Sequence, residues 1–335
     1  MSMKPLLPMK SFFLLVLLFG LTWADQIAPM EVSAYQVWFG VAQSEPHPPM
    51  KLEHLVVLRT FFHAGQPYFL GVDPFTLQTL VRPQAGFFLR QQSLDSSALI
   101  WSSTSYFRLM ASTRSSDGQL TDVGLEHVRA ASGIVLTVDL CPSLKPMDRY
   151  LVRNLIAAIP ATERPIPISF SISGAWIRQH PGDLHWLLGL EDSGSLAITW
   201  INHSNKHRYI PGLSWDHDFM LLPGTNVNDE VLLAEKAMLS VGIIPSVFFR
   251  FPGLVSDRKL VEQVLGLGLI PIGSDAWLAK NQQAHAGSIV LIHGNGNEPL
   301  GIQRFLQMLK NHDPEIRKNH WMLLDLEETI DDSSR

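Results

Sequence analysis

Five separated segments hold residues with the chemistry for one reaction: Asp139, the pair His203 and His207, Arg250, Asp275, and His293. The pair sits in Asn202-His203-Ser204-Asn205-Lys206-His207. That spacing predicts two imidazoles on one face of a helical turn, where they can share a metal ion. A chain with 13 histidines produces such spacings by chance, so the pair gains weight only from its neighbours in order. Hydrolysis of an amide needs a polarised carbonyl, an activated water and a protonated leaving nitrogen. A bound metal supplies the first two. A carboxylate such as Asp139 serves as base, and a histidine such as His293 as acid. A guanidinium beside Asp139 keeps that carboxylate ionised.

These residues need a scaffold that brings strand ends together. From about residue 126 the chain alternates strands and helices. Apolar runs at 133–138, 166–172, 196–200, 246–250, 269–273, 288–292 and 320–324 read as strands of a buried parallel sheet. Helices are expected at 148–159, 183–191, 229–241 (capped by Asn228), 257–267 and 302–310. Seven such steps predict a parallel α/β barrel. Asp139, His203, Arg250, Asp275 and His293 each fall after a predicted strand or at its end. That is the face where such barrels build their sites.

Residues 25–125 have another texture. Short apolar runs at 55–58, 66–70 and 85–89 lie between Gly/Pro turns and predict a small β-rich accessory region. The serine-rich stretches Ser93–Ser97 and Ser112–Ser116 read as loops. Residues 1–24 read as an export signal: Lys4 and Lys10, an apolar run from Phe12 to Leu21, then Thr22-Trp23-Ala24. The run is too short for a membrane span, which takes about 20 residues. A periplasmic or secreted protein is expected. The net charge of -5 and pI near 6.2, with no basic stripe, argue against a nucleic-acid partner. The single cysteine, Cys141, excludes an intrachain disulfide and reads as a small buried hydrophobe. Asp216-His217-Asp218 reads as a polar loop.

Residues 131–325 resemble the polysaccharide deacetylases of the NodB-homology type, carbohydrate esterase family 4. Thr137-Val138-Asp139-Leu140-Cys141-Pro142-Ser143 resembles the first family motif, Thr-Phe-Asp-Asp-Gly-Pro-Ser. The resemblance makes Asp139 the catalytic base. It also puts Leu140 where the family has a metal-binding aspartate, and Cys141 where glycine is usual. Asn202 to His207 is similar to the second motif and makes His203 and His207 metal ligands. Arg250-Phe251-Pro252-Gly253 is similar to the third, whose arginine holds the base. Gly273-Ser274-Asp275-Ala276-Trp277 loosely resembles the fourth, with a tuning aspartate and a pocket-wall tryptophan. Leu291-Ile292-His293 resembles the fifth, whose histidine is the general acid.

The resemblance implies a distorted (β/α)7 barrel over residues 126–330. It further implies an acetylated carbohydrate substrate, and a divalent metal, zinc foremost. Asp139, His293, Arg250 and Asp275 would be catalytic, His203 and His207 metal-binding, and Trp277, Leu291 and Pro252 substrate-binding. Catalytic zinc usually has three protein ligands. Leu140 leaves two, and three outcomes stay open: Asp139 binds the metal itself, Cys141 or a downstream carboxylate completes the shell, or the metal is lost. The last would leave a non-catalytic carbohydrate-binding protein on the same fold.

Overall fold

The computed structural model describes residues 27–44, 54–113 and 121–332, and the export segment at 1–24 lies outside them. Five strands, β1 (Val32–Ser44), β2 (His54–His63), β3 (Gln66–Val72), β4 (Thr79–Pro83) and β5 (Phe87–Gln91), form an antiparallel sheet in the order β4-β3-β2-β1-β5. Two helices follow, α1 (Leu94–Trp101) and α2 (Ser105–Ser112). They correct the expectation of loops there. The Ser93 side chain accepts from the Ser96 N–H and so caps α1. The serines thus open a helix, and apolar residues behind them continue it. Residues 114–116 lie outside the described residues.

The remainder alternates strand and helix. The elements are β6 (Val135–Leu140), α3 (Arg149–Ala158), β7 (Ile166–Ile172), α4 (Gly174–Gln179), α5 (Pro181–Asp192), β8 (Leu196–Asn202) and α6 (Val227–Leu239). After them come β9 (Phe248–Phe249), α7 (Arg258–Gly266), β10 (Ile270–Pro271), β11 (Ala276–Trp277), β12 (Ile289–His293), α8 (Pro299–Asn311), α9 (Asp313–Ile316) and α10 (Leu326–Asp332). Seven parallel strands in the order β10-β9-β8-β7-β6-β12-β11 curl into a distorted (β/α) barrel. The seventh strand is β11 rather than residues 320–324, of which Leu323 makes a single bridge to Ile134. Helix α6 starts two residues early: Asn226, not Asn228, caps it by accepting from Asp229 N–H.

Strand parity separates two interiors. Leu136, Val138 and Leu140 of β6 join Val290 and Ile292 of β12 and the inner faces of α3, α5 and α8 in one apolar layer. Residues of opposite parity look into the barrel. There Thr137, Asp139, Ser169, Ser171 and Thr199 are all buried. A barrel interior with small polar side chains at its centre can hold a charged group; an aliphatic one cannot.

The accessory sheet shares a second core with the barrel. Val56, Leu58, Tyr106 and Phe107 pack with Val247, Phe248, Val264 and Leu265. Arg59, fully buried, binds Glu235 of α6 through two bonds of 2.8 Å and donates to the carbonyl of Leu267 at 2.7 Å. Tyr106 donates its hydroxyl to the Gly268 carbonyl at 2.7 Å. Both bonds satisfy carbonyls at the C-terminal end of α7. Among the described residues, no helix is long and apolar enough to cross a membrane.

Candidate functional site

Asp139 and His293 are register partners on adjacent parallel strands, so both side chains leave the sheet on the same face at its C-terminal edge. His203 follows β8 directly and is fully buried. The His203–His207 segment is not helical. Ser204 and His207 both take left-handed backbone angles, φ 65 and 46. The expected helical face is therefore wrong, and a tight loop does the same work. The Ser204 hydroxyl accepts from His207 N–H, the Asn202 side chain accepts from Ser204 N–H, and Glu230 of α6 accepts from the N–H groups of Asn205 and Lys206. Those bonds over-determine the loop and offset its backbone cost, of order 1–3 kcal/mol for each strained residue.

The result is a compact set of donors. His203 Nδ1 lies 2.9 Å from the Arg250 carbonyl, which can only accept, so Nδ1 carries a proton and Nε2 has its lone pair available. His207 Nε2 stands 3.1 Å from that Nε2 and Cys141 Sγ 3.6 Å from it. Ligand atoms of Cys141, His203 and His207 all lie within 4.8 Å of one another. Two imidazole lone pairs repel unless a proton or a cation lies between them. Asp139 Oδ2 is 3.7 Å from His203 Nε2, while its Oδ1 is buried without a hydrogen bond. Two imidazoles, a thiol and a nearby carboxylate suit a divalent cation such as zinc.

Cys141 is buried, as the sequence reading expects, and its sulfur also faces the imidazole of His203. Parity explains it: Leu140 faces the apolar layer and Cys141, one residue on, faces the barrel interior. Leu140 is packed so closely that a Cβ on Gly294 would come within 3.0 Å of it. The Asn295 amide donates to the Cys141 carbonyl at 2.6 Å and fixes that turn. Burial alone pushes the Cys141 thiol up. The charges of His207 and His293 and hydrogen bonds with His203 and His207 outweigh burial and hold it well below its ordinary range. Burial pulls His293 down, but Cys141, Glu298 and Asp139 hold its imidazole well above its ordinary range.

Arg250 lies entirely buried across the barrel interior. Its Nη2 donates to the Thr137 hydroxyl at 3.0 Å, and that hydroxyl donates to the Val290 carbonyl. Its Nη1 is 3.9 Å from Asp139 Oδ1, a charge pair without a hydrogen bond, and Nη1 and Nε have no partner. His293 Nδ1 is 2.8 Å from Glu298 Oε2, and the same oxygen accepts from Trp277 Nε1 at 2.8 Å. Glu298 carries no signal in the sequence, since it follows β12 in a loop with no motif around it.

Asp275 is a correction. It precedes β11, and its carboxylate binds His127 at 2.7 Å, Ser288 Oγ and Ile289 N–H. Ile289 begins β12 while His293 ends it, so Asp275 sits at the opposite strand end from the cluster. Trp277 stacks obliquely on His293, with ring centroids 5.8 Å apart, and on Trp215 at 6.4 Å. The Lys280 ammonium lies between the two indoles, 3.4 Å over Trp277 and 4.3 Å over Trp215. Leu291 is fully buried and packs with Trp277 and Leu254 beside His293. Pro252 opens a buried 3-10 turn just after Arg250. Asp216 and His217 pair locally in an exposed loop, and buried Asp218 accepts from Ile210 N–H and Phe219 N–H. They tie down the loop that carries Trp215 and lie outside the donor set.

The family model described as RP012 protein N-terminal domain matches residues 35–107. Among solved structures, the chain is similar to a family 4 carbohydrate esterase from Bacillus anthracis, at 15% identity over 69% of this chain and 92% of that one, TM-score 0.46. It is similar to PdaA of Bacillus subtilis, also a family 4 carbohydrate esterase, at 15% identity over 62% and 84%, TM-score 0.43. A mutant of BA3943, a family 4 pseudoenzyme, is similar at 11% identity over 88% and 93%, TM-score 0.42.

Proposed function

We propose that this chain is a metal-dependent hydrolase that removes acetyl groups from an N-acetylated or O-acetylated carbohydrate outside the cytoplasm. The observation that carries the reading is the convergence of Asp139, His293 and Arg250 on the His203–His207 pair at one strand edge. His203 and His207 would hold the cation. When bound, it supplies Lewis-acid polarisation of a carbonyl and an acidified water.

The residues of the chain do the rest. Asp139 takes a proton from the attacking water at Oδ2, the oxygen 3.7 Å from His203 Nε2. Arg250 Nη1 faces the other oxygen, Oδ1, at 3.9 Å and makes no bond that would occupy Oδ2. The Glu298 carboxylate engages His293 Nδ1, so His293 Nε2 holds the proton that passes to the leaving nitrogen or oxygen. Trp277 and Leu291 form an apolar wall beside His293 that suits a methyl group. Exposed aromatics at Tyr209 and Trp215 offer flat faces to sugar rings. Export rests on residues 1–24.

A second reading, a carbohydrate-binding protein without catalysis, is motivated by Leu140 alone. The test between them is acetate release by purified, zinc-replete chain from chitooligosaccharide, peptidoglycan and acetylated exopolysaccharide. The expected outcome is release from at least one, abolished in Asp139→Asn and His293→Ala. Inertness on all three substrates overturns the hydrolase reading.

A further inference from the structure

We infer that Cys141 is the third protein ligand of this centre, so that the site is a Cys-His-His thiolate site selective for zinc, cobalt(II) or iron(II) over magnesium and manganese. The inference rests on the metal-dependent reading only in placing a cation at His203 and His207, and it does not need the chain to be a deacetylase.

Three observations carry it. The first is spacing. Tetrahedral zinc with bonds of about 2.3 Å to sulfur and about 2.05 Å to nitrogen sets its ligands about 3.6 Å apart for S and N and about 3.3 Å apart for N and N. Cys141 Sγ and His203 Nε2 are 3.6 Å apart, and the two Nε2 atoms 3.1 Å. The second is strand parity. A carboxylate at position 140 would enter the layer of Leu136, Val138, Ile172 and Ile292. The next side chain along the chain, Cys141, is the one that faces the imidazoles. The third is orientation. The Asn295 bond to the Cys141 carbonyl and the Arg250 carbonyl bond to His203 Nδ1 fix the backbone of one donor and the ring of the other.

The donor set then decides the cation. Thiolate is soft and imidazole intermediate, which suits zinc, cobalt(II) and iron(II); magnesium and manganese prefer oxygen. A thiolate also carries the same single charge as the carboxylate it replaces, so the charge of the occupied site is unchanged. One open coordination position remains, as catalytic zinc sites require.

The test is anaerobic titration of the metal-free full chain with cobalt(II), followed by absorption. Wild type is expected to bind one cobalt with a near-ultraviolet sulfur-to-cobalt charge-transfer band and the visible intensity of tetrahedral cobalt. Cys141→Ser should lose the charge-transfer band and bind at least tenfold more weakly. A second measurement needs no variant at Cys141. One equivalent of zinc should protect the single thiol of the wild type from iodoacetamide, excess magnesium should not, and His203→Ala should remove the protection. Cobalt bound without the charge-transfer band, or a thiol equally reactive with and without zinc, overturns the inference. Acetate release is scored separately: a thiolate site with no acetate released leaves this inference standing and removes the deacetylase reading.

Discussion

Two arginines are completely buried among the described residues, each facing a carboxylate, and they are built to opposite ends. Arg59 joins the accessory sheet to the barrel. All three of its nitrogens have partners, with Glu235 gripped at 2.8 Å twice and two carbonyls taken by Nη1. Arg250 has one bond, to Thr137, while Nε and Nη1 have none and Asp139 stays at 3.9 Å. A buried unpaired donor costs about 1–3 kcal/mol. The barrel interior therefore accepts a cost that the sheet junction avoids. The difference separates a pair that holds two layers together from one that sets a guanidinium beside a carboxylate without bonding it. Burial and charge type are equal in the two; only hydrogen-bond saturation distinguishes them.

The sharpest break in this comparison comes at Asp139. Asp139→Asn should lower acetate release by roughly 10²–10⁴-fold, the usual worth of a general base. The midpoint of urea unfolding should fall less than in Arg59→Ala, since Asp139 makes no hydrogen bond to Arg250 that the change would break. A large stability loss instead would make Asp139 a structural partner like Glu235.

Arg59→Ala should do the reverse. It strands a buried Glu235 charge and should cost about 3–5 kcal/mol in unfolding free energy. Activity per folded molecule should be unchanged. The double change Arg59→Met with Glu235→Leu should recover most of that loss.

A smaller effect is expected at Glu298. Glu298→Gln should reduce turnover roughly tenfold, within the range for outer-shell partners. The sign of its pH effect follows from His293, whose protonated form is held above its ordinary range partly by Glu298. A general acid is lost as pH rises through its own pKa, so removing that support should move the alkaline limb of the pH–rate profile to lower pH.

The smallest effect lies away from both arginines. Burial, with the charges of Asp122 and Asp275, raises Glu126 from 4.5 to about 7. Between those values the folded chain binds more protons at Glu126 than the unfolded chain, so this residue makes stability fall as pH rises. Glu126→Gln should flatten that slope in unfolding curves taken across the same interval. An unchanged slope would remove Glu126 as its source.

Much of the barrel was legible because buried parallel strands are continuous apolar runs, as at Ile166–Ile172, which the sequence marks to the residue. The two-residue strands β9 and β10 fall inside the apolar runs at 246–250 and 269–273, but β11 was missed, because Ala276-Trp277 carries too little pattern to stand out. Residues 320–324 look like a strand and supply only one bridge. The histidines, Asp139, Arg250 and His293 were legible as types in order. Asp275 was misread because it follows the apolar run at 269–273 in sequence yet pairs with the start of β12, and motif matching is blind to register. Counted by parity from Asp139, Cys141, one residue past β6, falls on the inner side. Glu298 lay beyond any such rule, since a loop contact through space leaves no local pattern.

The Arg59 junction has a consequence for the order in which the chain can be assembled. Arg59 meets Glu235 across 176 residues and the Leu267 carbonyl across 208. Chains grow from the N-terminus at about 5–20 residues per second, and contacts so distant in sequence form late. During synthesis the accessory sheet must therefore wait many seconds with a guanidinium that has no counterpart. Its apolar face, Val56 and Leu58 included, waits for the same helices. The sheet that comes first in the chain is finished by helices that come late in it, and the interval between is when this protein is most exposed to aggregation.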